Sequence, residues 1–237
     1  MNDSLRESLS YFGLYKKMFG VQKKIIPDVV SFGQDKNQYF LYYEPDCMVS
    51  EKIIVWVHGG GWNAGTPKDF DFVGQCVAGA GYRFISIGYR LSPKNKYPCQ
   101  IEDVCNGYTS AIQYLNKKEI NTSKVIVTGP SAGAHLSSIL CYSKEAQEKY
   151  ATDVSNIIGF IGVGGPYCFS VKASWSVKIL LNQLFSKDYD RAKGEPTSLM
   201  TKNKIPMLLI QSKHDGVINY ACVERFYDKA KSIGNEC

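Results

Sequence analysis

Histidine is scarce in this sequence, and its cysteines lack the spacing of a metal site. The 237 residues include three histidines and eight cysteines. No two cysteines form a Cys-x-x-Cys pair, and no cysteine combines with histidine at zinc spacing. We therefore expect no bound metal, and we expect reduced, buried cysteines of the kind found in cytoplasmic proteins. Cys76, within the apolar run FVGQCVAGA, is an example of a thiol predicted to behave as a small hydrophobic side chain.

Long hydrophobic runs are also missing. The first twenty residues, MNDSLRESLSYFGLYKKMFG, carry acidic residues early and have no uninterrupted apolar core. This pattern predicts neither a signal peptide nor a membrane span, and no other run reaches transmembrane length. The sequence therefore indicates a cytoplasmic protein that does not engage a membrane.

The positive charge of the chain is dispersed rather than concentrated in one basic patch. The net charge of +6 comes from 28 basic and 22 acidic residues, and lysine pairs such as Lys16-Lys17 and Lys117-Lys118 lie between apolar stretches. A solvated surface is the simpler interpretation, so we expect no nucleic-acid partner. There is no internal repeat or low-complexity linker, and the length suits one α/β domain over residues 1–237.

Apolar runs alternate with helical patterns along most of the chain. Residues 1–20 suggest a peripheral helix, and DVVSF and QYFLYYEP suggest two antiparallel strands around the turn 33–37. From residue 52 onwards, five buried-strand runs follow, with helices predicted over 67–80 and 98–117; the runs are KIIVWVHG, YRFISIGYR, KVIVTGPS, IIGFIGVGG and IPMLLIQSKHD. This pattern predicts a mostly parallel sheet covered by helices on both faces, with sites at the carboxyl ends of the strands.

One segment is longer than a simple connection between strands. Residues 170–201 contain SWSVKILLNQLF, whose apolar residues have helical spacing. We expect this segment to form a small cap over the site.

Gly129-Pro130-Ser131-Ala132-Gly133 follows one of the predicted strands and precedes a predicted helix. The pattern is that of a nucleophile elbow, G-x-S-x-G, in which a serine in a strained turn needs small residues two positions before and after it. The N-terminus of the following helix would direct backbone N–H groups at negative charge beside Ser131. Alone, the same letters are also compatible with an ordinary strand–turn–helix.

A second glycine cluster, His58-Gly59-Gly60-Gly61-Trp62, lies directly after an upstream strand. Consecutive glycines let backbone N–H groups face a substrate oxygen, as an oxyanion hole requires. A glycine-rich turn and a phosphate-binding loop are the alternatives. The latter needs Gly-Lys-Ser/Thr or G-x-G-x-x-G, and neither is present here.

Asp215 lies after the serine, in a loop at the end of another predicted strand. An acidic residue at this place is where the acid of a Ser-His-acid triad is expected. Asp215-Gly216 alone is more often just a turn, and the interpretation as the triad acid depends on the two motifs upstream.

With these motifs the chain resembles the α/β-hydrolase carboxylesterases, the group of hormone-sensitive-lipase-like, feruloyl- and acetyl-esterase-like and kynurenine-formamidase-like proteins. The matching segments are His58–Trp62, the GYRLSP segment 88–93, Gly129–Gly133 with His135, and the Asp215 loop. The resemblance implies that Ser131 is the nucleophile and Asp215 the triad acid. The N–H groups of Gly60, Gly61 and Ala132 form the implied oxyanion hole, and Tyr89 and Arg90 are scaffold.

None of the three histidines is a good candidate for the catalytic base. His58 is expected to brace the glycine loop, and His135, one helical turn after Ser131, is expected to lie beneath the elbow. His214 adjoins the predicted acid, and neighbouring residues in a tight loop seldom face a shared partner. In the family the base follows the acid on a loop after the last strand, whereas this sequence stops at Cys237.

The final strand, its histidine loop and the closing helix are therefore expected to be missing from these residues. The sequence is then a fragment of a complete enzyme, a chain completed by a partner, or a shortened and non-catalytic descendant. A missing strand also predicts an exposed sheet edge through which two copies could form a homodimer.

The sequence leads to two functional hypotheses. The first is a serine hydrolase that cleaves small carboxylic esters through an acyl-serine intermediate, without cofactor or metal, with amide or formamide hydrolysis as a variant. The second is a catalytically silent protein that binds a ligand on the hydrolase fold, because the triad histidine is absent.

Overall fold

The architecture is a mostly parallel sheet with helices against it. A computed structural model describes residues 24–171 and 173–237. Within these ranges the sheet has seven strands in the order β1-β2-β4-β3-β5-β6-β7. The strands are β1 Asp28–Ser31, β2 Tyr39–Tyr43, β3 Ile53–Val57, β4 Arg83–Ile87, β5 Val125–Pro130, β6 Ile157–Val163 and β7 Met207–Ile210. β2 is antiparallel to both of its neighbours, and all other pairs are parallel, so the predicted sheet and the N-terminal hairpin are confirmed.

The connections between the parallel strands are helical, as the alternating pattern predicted. The helices of the described ranges are α1 Asp71–Gly79, α2 Cys99–Lys117, α3 Ala132–Tyr142, α4 Lys144–Lys149, α5 Trp175–Leu184, α6 Pro196–Leu199 and α7 Tyr220–Ser232. Short 3₁₀ turns precede α1 and α6, at Pro67–Phe70 and Arg191–Gly194. The bounds predicted for the helices over 67–80 and 98–117 therefore differ from the observed ones only at their ends.

Helices cover the two faces of the sheet unequally. One face packs against α2, α3 and α7, and its core includes Val55, Val127 and Phe160. On the opposite face a smaller cluster packs beneath α1 and includes Phe84 and Trp56. Trp56 is paired with Thr128, Thr128 with Ile161, and Ile161 with Leu208 on neighbouring parallel strands. These side chains therefore lie on the same face of the sheet as α1, which we call the α1 face.

The far end of the α1 face carries exposed apolar side chains. Val163, Leu208 and Ile210 keep 38%, 55% and 50% of their surface exposed. β7 is the last strand in the sheet order, and beside it the N–H of Met207 donates to the carbonyl oxygen of Glu236 over 2.9 Å. The pairing of two copies at this edge stays a prediction from the sequence.

Some expectations need correction or fall outside the described residues. The helix predicted over 1–20 lies outside the described residues. Cys76 is exposed rather than buried, because Gly74, Gln75 and Ala78 form the inner side of α1 and Cys76 faces away from it. The cysteines are all free, and Cys105 is among the buried ones. No helix of the two described ranges is long and apolar enough to cross a membrane.

Candidate active site

Ser131 occupies a strained turn between a strand and a helix. β5 ends at Pro130 and α3 begins at Ala132, and Ser131 between them has φ 50° and ψ −119°. Few residues other than glycine adopt a positive φ, so the surrounding structure must hold the serine in this conformation. The Ser131 N–H donates to the carbonyl oxygen of Val163 over 2.8 Å, which fastens the turn to the end of β6.

The two glycines of the motif are required by the close approach of β3. A β-carbon on Gly129 would lie 2.5 Å from the carbonyl oxygen of Val57, and one on Gly133 would lie 2.0 Å from the same atom. Both distances are far below van der Waals contact. Small residues two positions before and two after the serine thus let the elbow pack against the strand that leads into the glycine loop.

The glycine loop itself runs through left-handed backbone conformations. Gly60, Gly61 and Trp62 have φ angles of 110°, 58° and 61°. The carbonyl oxygen of Gly60 accepts hydrogen bonds from the N–H groups of Asn63 and Ala64, which closes the loop into a tight turn. Within the described part of the chain, the N–H groups of Gly60 and Gly61 donate to no acceptor. Two backbone donors are therefore available beside the elbow.

His58 braces this loop from beneath. Its side chain is fully buried and donates from Nδ1 to the carbonyl oxygen of Gly59 over 2.7 Å. Its ring stacks on Tyr89 with 4.2 Å between centroids, and the Tyr89 hydroxyl donates to the carbonyl oxygen of His58 over 3.1 Å. Burial lowers the pKa of His58 to about 4, so the imidazole is neutral at pH 7. The predicted bracing role of His58 and the scaffold role of Tyr89 are confirmed.

Arg90 is also a scaffold residue, as predicted. Its guanidinium binds the fully buried carboxylate of Asp103 through Nε and Nη2, and its backbone N–H donates to the same carboxylate. The hydrogen bonds to Asp103 raise the pKa of Arg90. This pair fixes the segment after β4 to α2, and with it the tyrosine that supports the glycine loop.

The carboxylate of Asp215 is oriented by three donors. Oδ1 accepts the backbone N–H groups of Val217 and Ile218 over 2.8 and 2.9 Å, and Oδ2 accepts Nε2 of Gln211 over 2.8 Å. A β-carbon on Gly164 would lie 3.7 Å from Oδ2, and Gly164 follows the residue that accepts the Ser131 N–H. The structure thus brings the Asp215 side chain to the end of β6, to which the elbow is fastened.

Sequence reasoning missed Gln211 at this site. The residue comes directly after β7, and a polar side chain at the carboxyl end of a buried parallel strand is the signal that could have identified it. The amide oxygen of Gln211 is buried and has no hydrogen-bond partner among the described residues.

The three histidines have hydrogen-bond partners other than the serine hydroxyl. His135 is fully buried and bonded at both ring nitrogens, and burial lowers its pKa to about 4. His214 is exposed, and its backbone N–H donates to Oγ of Ser212. In the ranges that the structure describes, no histidine forms a hydrogen bond with the Ser131 side chain.

The segment expected to cap the site contains α5 and lies against the glycine loop. Oε1 of Gln183 accepts Nδ2 of Asn63 over 2.8 Å. A β-carbon on Gly61 would lie 2.8 Å from Cδ1 of Leu180, so this leucine lies directly on the glycine. α5 is therefore the part of residues 170–201 that covers the loop.

Comparison with known proteins finds esterases and other hydrolases. The BD-FAE family model matches residues 41–230. The carboxylesterase NlhH of Mycobacterium tuberculosis is 31% identical over 105 residues, which are 42% of this chain and 32% of that protein. Kynurenine formamidase of Meyerozyma guilliermondii is 26% identical over 226 residues, covering 86% of this chain and 82% of that enzyme. The match thus spans about a third of the mycobacterial carboxylesterase, at 32%, and most of the kynurenine formamidase.

A solved structure shares the fold over nearly the whole chain. Esterase B of Lactobacillus rhamnosis superposes with a TM-score of 0.77 at 19% identity, covering 98% of this chain and 80% of that one. At this identity the likeness shows the α/β-hydrolase fold, which agrees with the strand order and with the position of the elbow after β5.

Proposed function

Because the chain belongs to the BD-FAE family and has the α/β-hydrolase fold, we propose that it is a serine hydrolase of the carboxylesterase type. The observation that carries the proposal is the strained serine itself. Ser131 has φ 50° between β5 and α3, in a turn that tolerates only glycine at positions 129 and 133. A serine held in this conformation between a strand and a helix is typical of a nucleophile elbow.

In the proposed reaction Ser131 forms an acyl-serine. Its Oγ bonds to the carbonyl carbon of a small carboxylic ester and gives up its proton to a base, and the carbonyl oxygen becomes an oxyanion. The N–H groups of Gly60, Gly61 and Ala132 stabilise that charge. The C–O bond to the alcohol then breaks as the alcohol takes up a proton, and water cleaves the acyl-serine to release the acid. No cofactor or metal takes part.

Asp215 is proposed as the triad acid. Its carboxylate is held by the N–H groups of Val217 and Ile218 and by Gln211, and a fixed carboxylate orients and stabilises an imidazolium during the reaction. The names of two relatives, a carboxylesterase and a kynurenine formamidase, support ester cleavage with formamide cleavage as a variant. Small esters are the substrates proposed here, with amides or formamides as a variant.

A second function is favoured by the placement of the histidines. His58 and His135 are buried, with His58 bonded through Nδ1 and His135 through both ring nitrogens to other groups, and His214 is exposed. Without a base beside the hydroxyl, a serine hydrolase loses about 10⁴–10⁶ in kcat. The alternative is a protein that binds a ligand in the acyl site without turnover. A cytoplasmic location and a pairing of two copies at the sheet edge stay predictions from the sequence.

The test uses turnover and covalent labelling together. We expect hydrolysis of p-nitrophenyl acetate and labelling by a fluorophosphonate, with both falling at least about a hundredfold in Ser131→Ala. The control is Ser123→Ala, which removes a hydroxyl from an exposed loop before β5. Labelling that persists in Ser131→Ala contradicts the assignment of the nucleophile. Absence of turnover and labelling in the unchanged protein favours the binding function.

A further inference from the structure

A cleft in the surface lies between the start of α2, α4 and the 3₁₀ turn before α6. Its volume is about 380 Å³, which is within the range of small-molecule pockets. No residue of the serine turn, the glycine loop or the Asp215 loop is among the described residues that line it. A ligand bound here would therefore occupy a site separate from the proposed ester site.

The floor of the cleft is aromatic and apolar. Tyr97 packs edge-on against Tyr189 with 5.7 Å between the ring centroids, and Tyr189 stacks on Phe185 with 5.5 Å between them. Only 4% of Tyr97 is exposed, and Ile101, which also lines the cleft, is buried. The ring positions are thus fixed by packing, and a flat hydrocarbon group can lie against them.

The tyrosine hydroxyl groups of the cleft are unpaired within the described part of the chain. Those of Tyr97, Tyr150 and Tyr189 form no hydrogen bond with any described residue. Burial raises the pKa of Tyr97, and the carboxylate of Glu145 contributes to the rise, so this hydroxyl stays protonated at neutral pH and can donate. A largely buried phenol without a partner is unusual, and a ligand with an acceptor oxygen would supply one.

Three charged side chains stand at the rim of the cleft. Glu145 and Lys149 lie one turn apart on α4, and Lys193 belongs to the 3₁₀ turn before α6. Among the residues that the structure describes, none of the three has an ion-pair partner. Lys144 and Glu148, also on α4, do pair, with Nζ 3.4 Å from Oε1. The cleft therefore offers a ligand one carboxylate and two ammonium groups.

These charges disfavour a simple ion, because an anion would meet Glu145 and a cation would meet two ammonium groups. We propose that the cleft binds an α-amino acid with an aromatic side chain. Its ring lies against Tyr97 and Tyr189. Its ammonium group donates to Glu145, and its carboxylate accepts from Lys149 and Lys193. A zwitterion of this kind pairs all three charged side chains at once. This site goes beyond the proposed function and does not depend on it.

The first experiment compares three ligands that share one ring. The full chain, labelled with ¹⁵N, is titrated with L-phenylalanine, with 3-phenylpropionate, which lacks the ammonium group, and with phenethylamine, which lacks the carboxylate. L-Phenylalanine is expected to bind with a Kd of about 1 mM or tighter, and each analogue at least about fivefold more weakly, since it leaves charges unpaired. Absence of saturable shifts up to about 20 mM L-phenylalanine, or equal affinity for 3-phenylpropionate, overturns the proposal.

The second experiment places the ligand in the cleft. Glu145 and Glu148 are both exposed on α4, so Glu145→Gln and Glu148→Gln are a matched pair that should fold alike. Glu145→Gln is expected to weaken L-phenylalanine at least about fivefold without weakening 3-phenylpropionate, and Glu148→Gln to leave both within about twofold. Ser131→Ala should bind L-phenylalanine like the unchanged protein. Equal affinities in the two glutamine variants, or loss of binding in Ser131→Ala, contradict a site in this cleft.

Discussion

The indole N–H of Trp62 donates to Nδ1 of His135 over 3.3 Å, and Nε2 of the same imidazole lies 2.8 Å from the carbonyl oxygen of Gly194. Because an indole nitrogen only donates, Nδ1 is the acceptor and Nε2 carries the proton that is given to Gly194. One neutral imidazole thus joins the glycine loop, the helix after the elbow and the segment that follows α5. Protonation of Nδ1 would place two N–H groups against each other.

We predict that the protein loses stability in weak acid, because His58 and His135 are buried and neutral. Burial lowers the pKa of each to about 4, below the value of about 6.5 in an unfolded chain. The unfolded state therefore binds more protons as the pH falls from about 6.5 towards 4, and stability declines across that window. At about pH 5 each histidine accounts for a loss of about 2 kcal/mol relative to pH 7.5.

Urea unfolding at the two pH values measures this effect. The difference in the free energy of unfolding between about pH 7.5 and about pH 5 should shrink by about 2 kcal/mol in His135→Gln. The exposed His214 is the control, and His214→Gln should keep the full difference. An unchanged difference in His135→Gln would contradict the role of the buried imidazole.

The elements that the sequence predicted well are those with a local cause. The β-branched run before Gly129 predicts β5, and the spacing around Ser131 predicts the elbow, since both depend on residues adjacent in the chain. The contacts that complete the site are between distant segments. Gln211 meets Asp215, and Leu180 meets Gly61, only because the fold brings separate loops together. Neither residue belongs to a motif.

Cys76 shows why composition alone misplaces a side chain. The apolar run around it is correct for a helix that packs on the sheet, but a helix buries only the residues on one side. Gly74, Gln75 and Ala78 occupy that side. A prediction that shifts the buried side of the helix by one residue therefore places an exposed thiol in the core.

Gly133→Ala is predicted to be severely destabilising. The added carbon would lie 2.0 Å from the carbonyl oxygen of Val57, and a backbone oxygen of β3 cannot move aside as a flexible side chain can. We expect a loss of at least about 3 kcal/mol in the free energy of unfolding, measured by urea denaturation at neutral pH. Loss of the soluble folded protein on expression is the stronger form of the same result.

A second glycine provides the matched control for this substitution. Gly79, at the end of α1, has no atom within 4 Å of the position of a β-carbon. Gly79→Ala should therefore be neutral or stabilise by up to about 1 kcal/mol. If Gly133→Ala and Gly79→Ala change the free energy of unfolding equally, the elbow does not pack closely on β3.

Arg90→Lys is predicted to be destabilising although it keeps the charge. The guanidinium contacts both oxygens of Asp103, and an ammonium cannot reproduce that fork. Asp103 is fully buried, and its carboxylate is poorly paired in the variant. We therefore expect the free energy of unfolding to fall by about 3 kcal/mol. Thermal and urea unfolding measure the loss. The control is Glu51→Gln, which removes an exposed pair with Lys124 at 3.9 Å and should change stability by less than about 0.5 kcal/mol.

Tyr89→Phe is predicted to slow the proposed reaction without abolishing it. The phenylalanine keeps the ring that stacks on His58 but removes the hydroxyl that donates to the His58 carbonyl oxygen over 3.1 Å. A lost neutral hydrogen bond is worth about 1 kcal/mol, and a looser glycine loop positions the N–H groups of Gly60 and Gly61 less well for the oxyanion. We therefore expect kcat for p-nitrophenyl acetate to fall about fivefold with little change in KM.

The decrease should be independent of pH across the neutral range, because burial raises the pKa of Tyr89 and keeps its hydroxyl protonated. Tyr227→Phe, which removes a hydroxyl from a residue that is 41% exposed on α7, is the control and should leave kcat unchanged. A higher KM with an unchanged kcat would mean that the hydroxyl supports substrate binding rather than the alignment of the oxyanion hole. The support of the glycine loop by Tyr89 would then have no catalytic consequence.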